Sequence, residues 1–129
     1  MTTPSIESST EQETAIAQTA RDYFEGWFEG DAARMEHALH PDLAKRSLAD
    51  DLTHVQHLTA PVMIDATARG RGKTRDVPDR RIEVDVHDVY GAIANVTVRS
   101  AVYREYLQLA RTRDGWKIVN ALWQWTERK

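Results

Sequence analysis

The chain has 129 residues, no cysteine and a formal net charge of −3, and 41% of its residues are hydrophobic. This length predicts one domain with a core large enough to be stable without disulfides or structural metals. The lack of cysteine excludes disulfides, thiolate nucleophiles and thiolate metal sites. The small charge and the lack of an apolar run of ~20 residues argue against a nucleic-acid or membrane partner. The lack of cysteine is compatible with the cytoplasmic location that we expect.

The first strong pattern in the chain is helical. Residues 1–13 are rich in serine, threonine and glutamate, and we interpret them as a flexible tail that precedes a single domain at 14–129. Apolar side chains then recur at i, i+4, i+7, i+8 and i+11, which places them on one face of an α-helix. The members of this face are Ile16, Ala20, Tyr23, Phe24 and Trp27. Glu11 and Glu13 suit the first turn of this helix electrostatically.

A short second helix is predicted directly after the first. Gly30 suits a helix C-terminus and Asp31 suits a helix N-cap, so the second helix is expected from Ala32 to about Leu39. It ends at His40, because the residue before a proline disfavours the α region.

Two short edge strands and a third helix come next. Residues 43–48 and 54–58 are predicted as strands around a polar turn. Thr59 caps the third helix, whose apolar body includes Met63. Residues 69–81 form a basic loop, interpreted as solvated, with capture of a phosphate or carboxylate group as the alternative.

The period of the pattern changes to two in the second half of the chain, which predicts β-strands. They run from Ile82 to the turn at Tyr90-Gly91, and then over 93–100, 104–111 and 116–125. Asp114-Gly115 is a hairpin signal, whereas the turn at 101–103 is inferred only from the strands around it. Helices first and a meander last predict an α+β fold, with three helices packed on a curved mixed or antiparallel sheet.

Two polar side chains fall on strand rows that are otherwise apolar. By period two, Glu105 shares a face with Leu107 and Leu109, and Asn120 shares a face with Ile118. An inward polar group that lacks a partner costs about 1–3 kcal/mol. Such groups are therefore hydrogen-bonded within the core or line a wet pocket, and both interpretations stay open.

No metal or cofactor site is predicted. His54 and His57 are three residues apart, so on a strand they would face opposite sides, and no third ligand is evident. The sequence also lacks a glycine-rich phosphate loop and a nucleophile elbow.

Three local segments indicate a family. Residues 23–31 read YFEGWFEGD, residues 39–46 read LHPDLAKR, and EYLQL at 105–109 is followed by DGWKIVN at 114–120. These segments and the order of elements resemble the nuclear transport factor 2-like superfamily, and within it the SnoaL-like, "putative lumazine-binding" family. The resemblance covers residues 14–126.

The resemblance implies a cystatin-like cone in which the helices close a pocket against the concave face of the sheet. An apolar or aromatic small molecule is then the expected partner. The residues expected to bind it are Tyr23, Trp27, Met63 and Asn120.

Glu105 and His40 are the candidate catalytic residues of this pocket. A carboxylate among apolar groups and a histidine both suit acid–base chemistry, and Tyr23 could donate a hydrogen bond. Proton abstraction beside a carbonyl, or dehydration, is the reaction class that follows. Alternatively, Glu105 is a hydrogen-bonded structural carboxylate and His40 fixes the end of a helix.

Three functions stay open, because the superfamily holds cofactor-free enzymes as well as members that only bind. They are a small-molecule-binding protein, a cofactor-free dehydratase, isomerase or cyclase, and a dimeric interaction module. Members of the superfamily commonly pair through the outer sheet face, so the resemblance implies a homodimer. The row expected on that face is Val89, Thr97, Tyr106, Val119 and Trp123.

Overall fold

The computed structural model of the chain describes residues 9–73 and 81–126. The order of helices and strands within these ranges is the order predicted from the sequence. The elements are α1 (Ser9–Glu29), α2 (Ala32–Ala38), β1 (Leu39–Leu48), β2 (Val55–Leu58), α3 (Ala60–Ala68), β3 (Ile82–Tyr90), β4 (Ile93–Ser100), β5 (Tyr103–Thr112) and β6 (Gly115–Trp125). None of the helices in the described part of the chain is both long enough and apolar enough to cross a membrane.

Helix α1 buries the apolar face predicted for it, including Ile16, Tyr23 and Phe24. It begins at Ser9, slightly before the first turn expected around Glu11 and Glu13. Glu11 lies in the first turn, where a carboxylate complements the positive end of the helix dipole and supports helix in this polar segment. The rest of the predicted tail, residues 1–8, lies outside the described residues, as do residues 74–80 of the predicted basic loop.

Helix α2 is held on α1 by polar contacts. Gly30 adopts a left-handed conformation with φ 72°, and Asp31 caps α2 by accepting a hydrogen bond of 3.1 Å from the backbone N–H of Arg34. The guanidinium of Arg34 reaches back to Asp22 at 2.9 Å and to Glu25 at 2.5 Å. The short helix is therefore anchored at its first turn.

The six described strands form one mixed sheet in the order β2-β1-β6-β5-β4-β3. Strand β1 pairs antiparallel with β2 and parallel with β6, so its predicted position at an edge is wrong. It starts at Leu39, which is already extended after α2, and its register against β6 shifts between Leu39 and Ala44. Pro41 lies in this interval and has no N–H to give to the ladder, which accounts for the gap in regular pairing.

A β-bulge in β6 changes which side chains face the helices. Gln108 lies opposite Asn120 whereas Leu109 lies opposite Ile118, so Val119 is an extra residue in the strand. One extra residue reverses the facing of every side chain that follows it. The predicted inward position of Asn120 is therefore wrong, because Asn120 is exposed on the outer face.

Two residues predicted for the outer face lie on the inner one for the same reason. Trp123 follows the bulge in β6 and packs against the core. In β3 the register shifts between Val86 and Asp88, so His87 is the extra residue and Val89 turns toward the core. The alternation of apolar and polar residues cannot reveal such a shift, because neither bulge contains a glycine or a proline.

The turn between β4 and β5 occupies residues 101 and 102, within the segment where it was inferred, and Tyr103 already belongs to β5. Ser100 stabilises it through its side-chain oxygen, which accepts hydrogen bonds from the backbone N–H of Val102 at 3.3 Å and of Tyr103 at 3.0 Å. The inward rows of the sheet and the buried faces of the helices form one core, which leaves an opening at the Tyr103 end of β5.

Candidate functional site

A cavity of ≈ 130 Å³ lies between helices α1 and α3 and the inward face of the sheet. Aromatic rings form most of its wall, and three polar side chains from separate elements meet at it. The lining residues are Tyr23, Phe24, Trp27, Lys45, Leu58, Met63, Tyr103, Glu105, Trp123 and Trp125.

The polar group of the cavity consists of Tyr23, Lys45 and Glu105. The Tyr23 hydroxyl donates a hydrogen bond of 2.8 Å to Oε1 of Glu105, and the Nζ of Lys45 lies 3.6 Å from Oε2 of the same carboxylate. The Nζ of Lys45 also contacts the hydroxyl oxygen of Tyr23. All three residues are buried, with exposed fractions of 2%, 6% and 3% respectively.

Secondary structure explains why these three side chains meet. Tyr23 lies on the buried face of α1, one helical turn before Trp27. Glu105 points inward from β5 in the same row as Leu107, opposite Trp123 of β6. The parallel pairing of β1 with β6 then places Lys45 next to this row.

Burial controls the electrostatics of the cavity. It raises the pKa of Tyr23 well above its usual range, and the negative charge of Glu105 and its hydrogen bond with the phenol act in the same direction. Burial also lowers the pKa of Lys45, and this effect outweighs the opposing attraction of Glu105 for the ammonium group. At neutral pH the phenol therefore holds its proton firmly, whereas the lysine releases one more readily than an exposed amine does.

The aromatic wall carries two indole N–H groups with different surroundings. The Nε1 of Trp27 donates a hydrogen bond of 3.0 Å to the hydroxyl of Tyr103. The Nε1 of Trp123 is buried and has no acceptor among the described residues. The ammonium of Lys45 lies 4.9 Å from the ring centre of Tyr23 and 5.3 Å from that of Trp123, within cation–π range.

Four of the residues predicted for the site lie together at the cavity, and two do not. Glu105, Tyr23, Trp27 and Met63 line it, and the sequence reasoning placed the first of these inward correctly. Asn120 is instead hydrogen-bonded to Gln108 on the outer face, at 2.8 Å, as a result of the bulge.

The predicted pair of His40 and Glu105 is not brought together. His40 directly follows Leu39, which lies opposite Ile118, whereas Glu105 lies opposite Trp123. Ile118 and Trp123 are roughly 15 Å apart along β6, so His40 and Glu105 lie far from each other. The Nδ1 of His40 instead accepts a local hydrogen bond of 3.0 Å from the backbone N–H of Asp42.

The sequence reasoning missed Lys45 and placed Trp123 on the wrong face. A signal for Lys45 was present, because by period two it shares a strand face with the apolar Leu43. The pattern alone could not reveal that β1 lies inside the sheet, between β2 and β6, and that the side chain of Lys45 is buried there.

No cluster of three or more histidine, aspartate or glutamate side chains in the described ranges has the geometry of a metal site. His54, one of the two histidines considered above, instead bonds to the carboxylate of Asp51 at 2.5 Å on the exposed β1–β2 turn. That contact and two backbone N–H groups lower the pKa of Asp51, the backbone N–H of His54 having the largest effect.

Comparison with known proteins gives a family match and a fold match. A model of the family described as "Putative lumazine-binding" matches residues 11–124. No curated protein matches the chain at a significant level.

Among solved structures, one from Silicibacter pomeroyi described as an "NTF-2 like protein of unknown function" has a TM-score of 0.77 at 14% identity, covering 93% of this chain and 100% of that chain. A Shewanella baltica protein, also described as NTF2-like and of unknown function, has a TM-score of 0.71 at 13% identity, covering 95% and 99%. A "putative dehydratase from the NTF2-like family" of Streptomyces avermitilis has a TM-score of 0.62 at 15% identity, covering 94% and 100%. Likeness at these identities shows a shared fold.

Proposed function

The chain belongs to the family described as "Putative lumazine-binding", within the nuclear transport factor 2-like superfamily, and from this we propose that it binds a small ring-containing molecule in its aromatic cavity. The observation that carries the proposal is the meeting of three buried polar side chains, Tyr23, Lys45 and Glu105, at a wall that is otherwise aromatic. Small-molecule sites have this composition, with apolar walls for affinity and a few polar groups for orientation.

The size of the cavity selects the class of ligand. Its ≈ 130 Å³ is close to the ~150 Å³ of an engineered apolar cavity that holds one benzene ring. One flat ring fits this space beside Trp27 and Trp123, and a second fused ring would extend toward the opening of the cavity. Edge-to-face and stacked aromatic contacts contribute about 0.5–1.5 kcal/mol each beyond the area they bury.

The polar groups select the substituent on the ring. Lys45 and the Nε1 of Trp123 are donors, and the indole has no acceptor among the described residues. A buried donor without an acceptor costs about 1–3 kcal/mol, which a ligand oxygen would recover. A carbonyl or a ring oxygen next to these donors is therefore favoured.

Binding without turnover is favoured over the other two functions by the state of the carboxylate. Glu105 already accepts from Tyr23 and faces Lys45, and His40 is remote from it. The cavity is open between Trp27 and Met63, which argues against a module whose pocket is filled.

The proposal is tested by thermal unfolding of the purified full-length chain with pterins, flavins, steroids, terpenoids and aromatic polyketides. A ligand present at ~100 times its dissociation constant stabilises the native state by ~2.7 kcal/mol. We expect planar one- and two-ring compounds with a carbonyl to raise the midpoint and to quench tryptophan fluorescence. A complete lack of saturable response across these classes would contradict the proposal.

Acid–base catalysis is the second candidate, favoured by one observation. A buried phenol, ammonium group and carboxylate lie next to one another, so a proton can pass among Tyr23, Lys45 and Glu105. Dehydration or isomerisation of a bound ligand by this group would not need His40. The test is turnover of an identified ligand, which Glu105→Gln should abolish while ligand binding persists.

We also propose that two copies pair through the outer sheet face. Thr97, Tyr106 and Leu122 are neighbours across β4, β5 and β6 on that face. Tyr106 and Leu122 are each 55% exposed, although they lie in the middle of the sheet. Exposed apolar side chains in such a row favour an interface, and a two-fold axis would bring the same row of each copy together.

A further inference from the structure

Lys45 is a buried amine at the wall of an aromatic cavity. Its Nζ lies 3.6 Å from Oε2 of Glu105, contacts the hydroxyl of Tyr23 and faces the ring of Trp123. A buried ion pair adds little net stability, because removing two charges from water offsets their attraction. The amine lies at the cavity lining, where it can meet a molecule that enters.

We propose that the Nζ of Lys45 forms a Schiff base with an aldehyde or ketone that enters the cavity. This inference rests on the proposed function, since it requires a ligand in the same cavity, and it names the reacting group of that ligand. Lysines that react with carbonyl compounds lie in apolar pockets where the ammonium form is destabilised. Burial has this effect here, since it lowers the pKa of Lys45 despite the nearby carboxylate.

Tyr23 and Glu105 are placed to move the protons that this reaction requires. The ammonium of Lys45 loses a proton to Glu105, either directly or through the Tyr23 hydroxyl that touches both groups. The amine lone pair forms the N–C bond while the carbonyl π electrons move to oxygen, and a proton shifts from nitrogen to that oxygen to give a carbinolamine. The proton held by Glu105 then passes to the hydroxyl group, the C–O bond breaks, and water leaves as the nitrogen lone pair forms C=N.

The step is balanced without an oxidant, a reductant or a further reactant. One ammonium group and one carbonyl give one iminium ion and one water. Glu105, whose Oε2 lies 3.6 Å from the same nitrogen, then faces the positive charge of the iminium ion. The substrate class is thus a one- or two-ring aldehyde or ketone.

The test is reductive trapping on the full-length chain. The protein is incubated at neutral pH with benzaldehyde or 2-naphthaldehyde, sodium borohydride is added, and the modified lysines are located by peptide mass mapping. Lys73 and Lys117 serve as internal controls outside the cavity lining. Lys45→Arg keeps a cation beside Glu105 but cannot give a reducible imine, and Lys45→Met is a second variant without an amine. Benzyl alcohol and 2-naphthalenemethanol serve as ligands of the same shape that lack the carbonyl.

We expect Lys45 to be modified at least tenfold more than Lys73 or Lys117. The matching alcohol should reduce this labelling by competition, and it should stabilise the wild-type protein against heat. Equal labelling of all lysines, together with saturable binding of the alcohols, would overturn the Schiff base and leave the binding function standing. If neither alcohols nor aldehydes bind, the proposed function fails for this ligand class and the Schiff base fails with it.

Discussion

The hydroxyl of Tyr23 donates a 2.8 Å hydrogen bond to Oε1 of Glu105, joining the middle of α1 to β5 across 82 positions of the chain. This bond closes the polar end of the cavity, because Lys45 approaches both partners from β1. The three groups interact electrostatically, so a substitution at one of them should change the pKa values and the energetic contributions of the other two.

The first prediction concerns the energetic coupling of Lys45 and Glu105. Lys45→Met and Glu105→Gln should each lower the free energy of unfolding by about 1–3 kcal/mol, because each leaves a buried charged or polar partner behind. The double variant should lose less than the sum, with a coupling energy of about 0.5–3 kcal/mol. Urea unfolding of the four proteins measures it, and Lys117→Met in place of Lys45→Met serves as the uncoupled control. Additive losses in both cycles would show that the two buried groups do not interact.

The second prediction concerns stability at alkaline pH. Burial and Glu105 raise the pKa of Tyr23 in the folded state, whereas an unfolded tyrosine ionises near about pH 10. Above that pH the folded protein keeps a proton that the unfolded chain has lost, so the free energy of unfolding falls as pH rises. Urea unfolding at about pH 8 and about pH 11 should show a larger loss for the wild type than for Tyr23→Phe. Equal losses would mean that Tyr23 ionises normally in the folded state.

The third prediction concerns the contact between Gly72 and α1. A Cβ added at Gly72 would lie 2.2 Å from the backbone oxygen of Trp27 and 2.7 Å from its Cδ1. Gly72→Ala must therefore displace Trp27, and we expect a loss of more than about 2 kcal/mol in unfolding free energy together with weaker ligand binding. Gly91→Ala is the matched control, because no atom lies within 4 Å of its Cβ position and only its φ of 57° opposes the change. A Gly72→Ala protein as stable as Gly91→Ala would argue against this close packing.

The fourth prediction concerns the outer sheet face. If two copies pair there, Tyr106→Arg should make the protein monomeric, because it places like charges at the centre of the contact. Tyr90→Arg, at an exposed position at the end of β3, should leave the assembly intact. Light scattering at micromolar concentration distinguishes one chain from two. A wild-type protein that already scatters as a single chain would refute the pairing.

The elements of the fold, and four of the ten residues that line the cavity, could be predicted from the sequence. Helical spacing places Tyr23 and Trp27 on the buried face of α1, and period two places Glu105 inward on β5, since both periods are local properties of the chain. The superfamily resemblance then implied a pocket at the place where these faces meet. Helix α1 begins at Ser9, two residues before Glu11, which was expected in its first turn.

The remaining features depend on pairing between distant segments. Lys45 is buried because β1 runs beside β6, which local alternation does not encode. Asn120 lies on the outer face and Trp123 on the inner face, opposite to the predicted positions, because Val119 is an extra residue in β6. No turn-forming residue marks this bulge. The separation of His40 from Glu105 follows from the register of β1, which is interrupted around Pro41.

The central claim is that the aromatic cavity binds the ligand, and blocking its space tests this most directly. Met63 on α3 lines the cavity and is 3% exposed, whereas its neighbour Val62 is 49% exposed. Titration of a ligand identified by thermal unfolding, followed by calorimetry, should give the same dissociation constant for the wild type and Val62→Trp. It should show a loss of at least tenfold in affinity for Met63→Trp, since the larger ring occupies the ligand's place. Unchanged affinity in a folded Met63→Trp protein would contradict the account, because the ligand would then bind elsewhere.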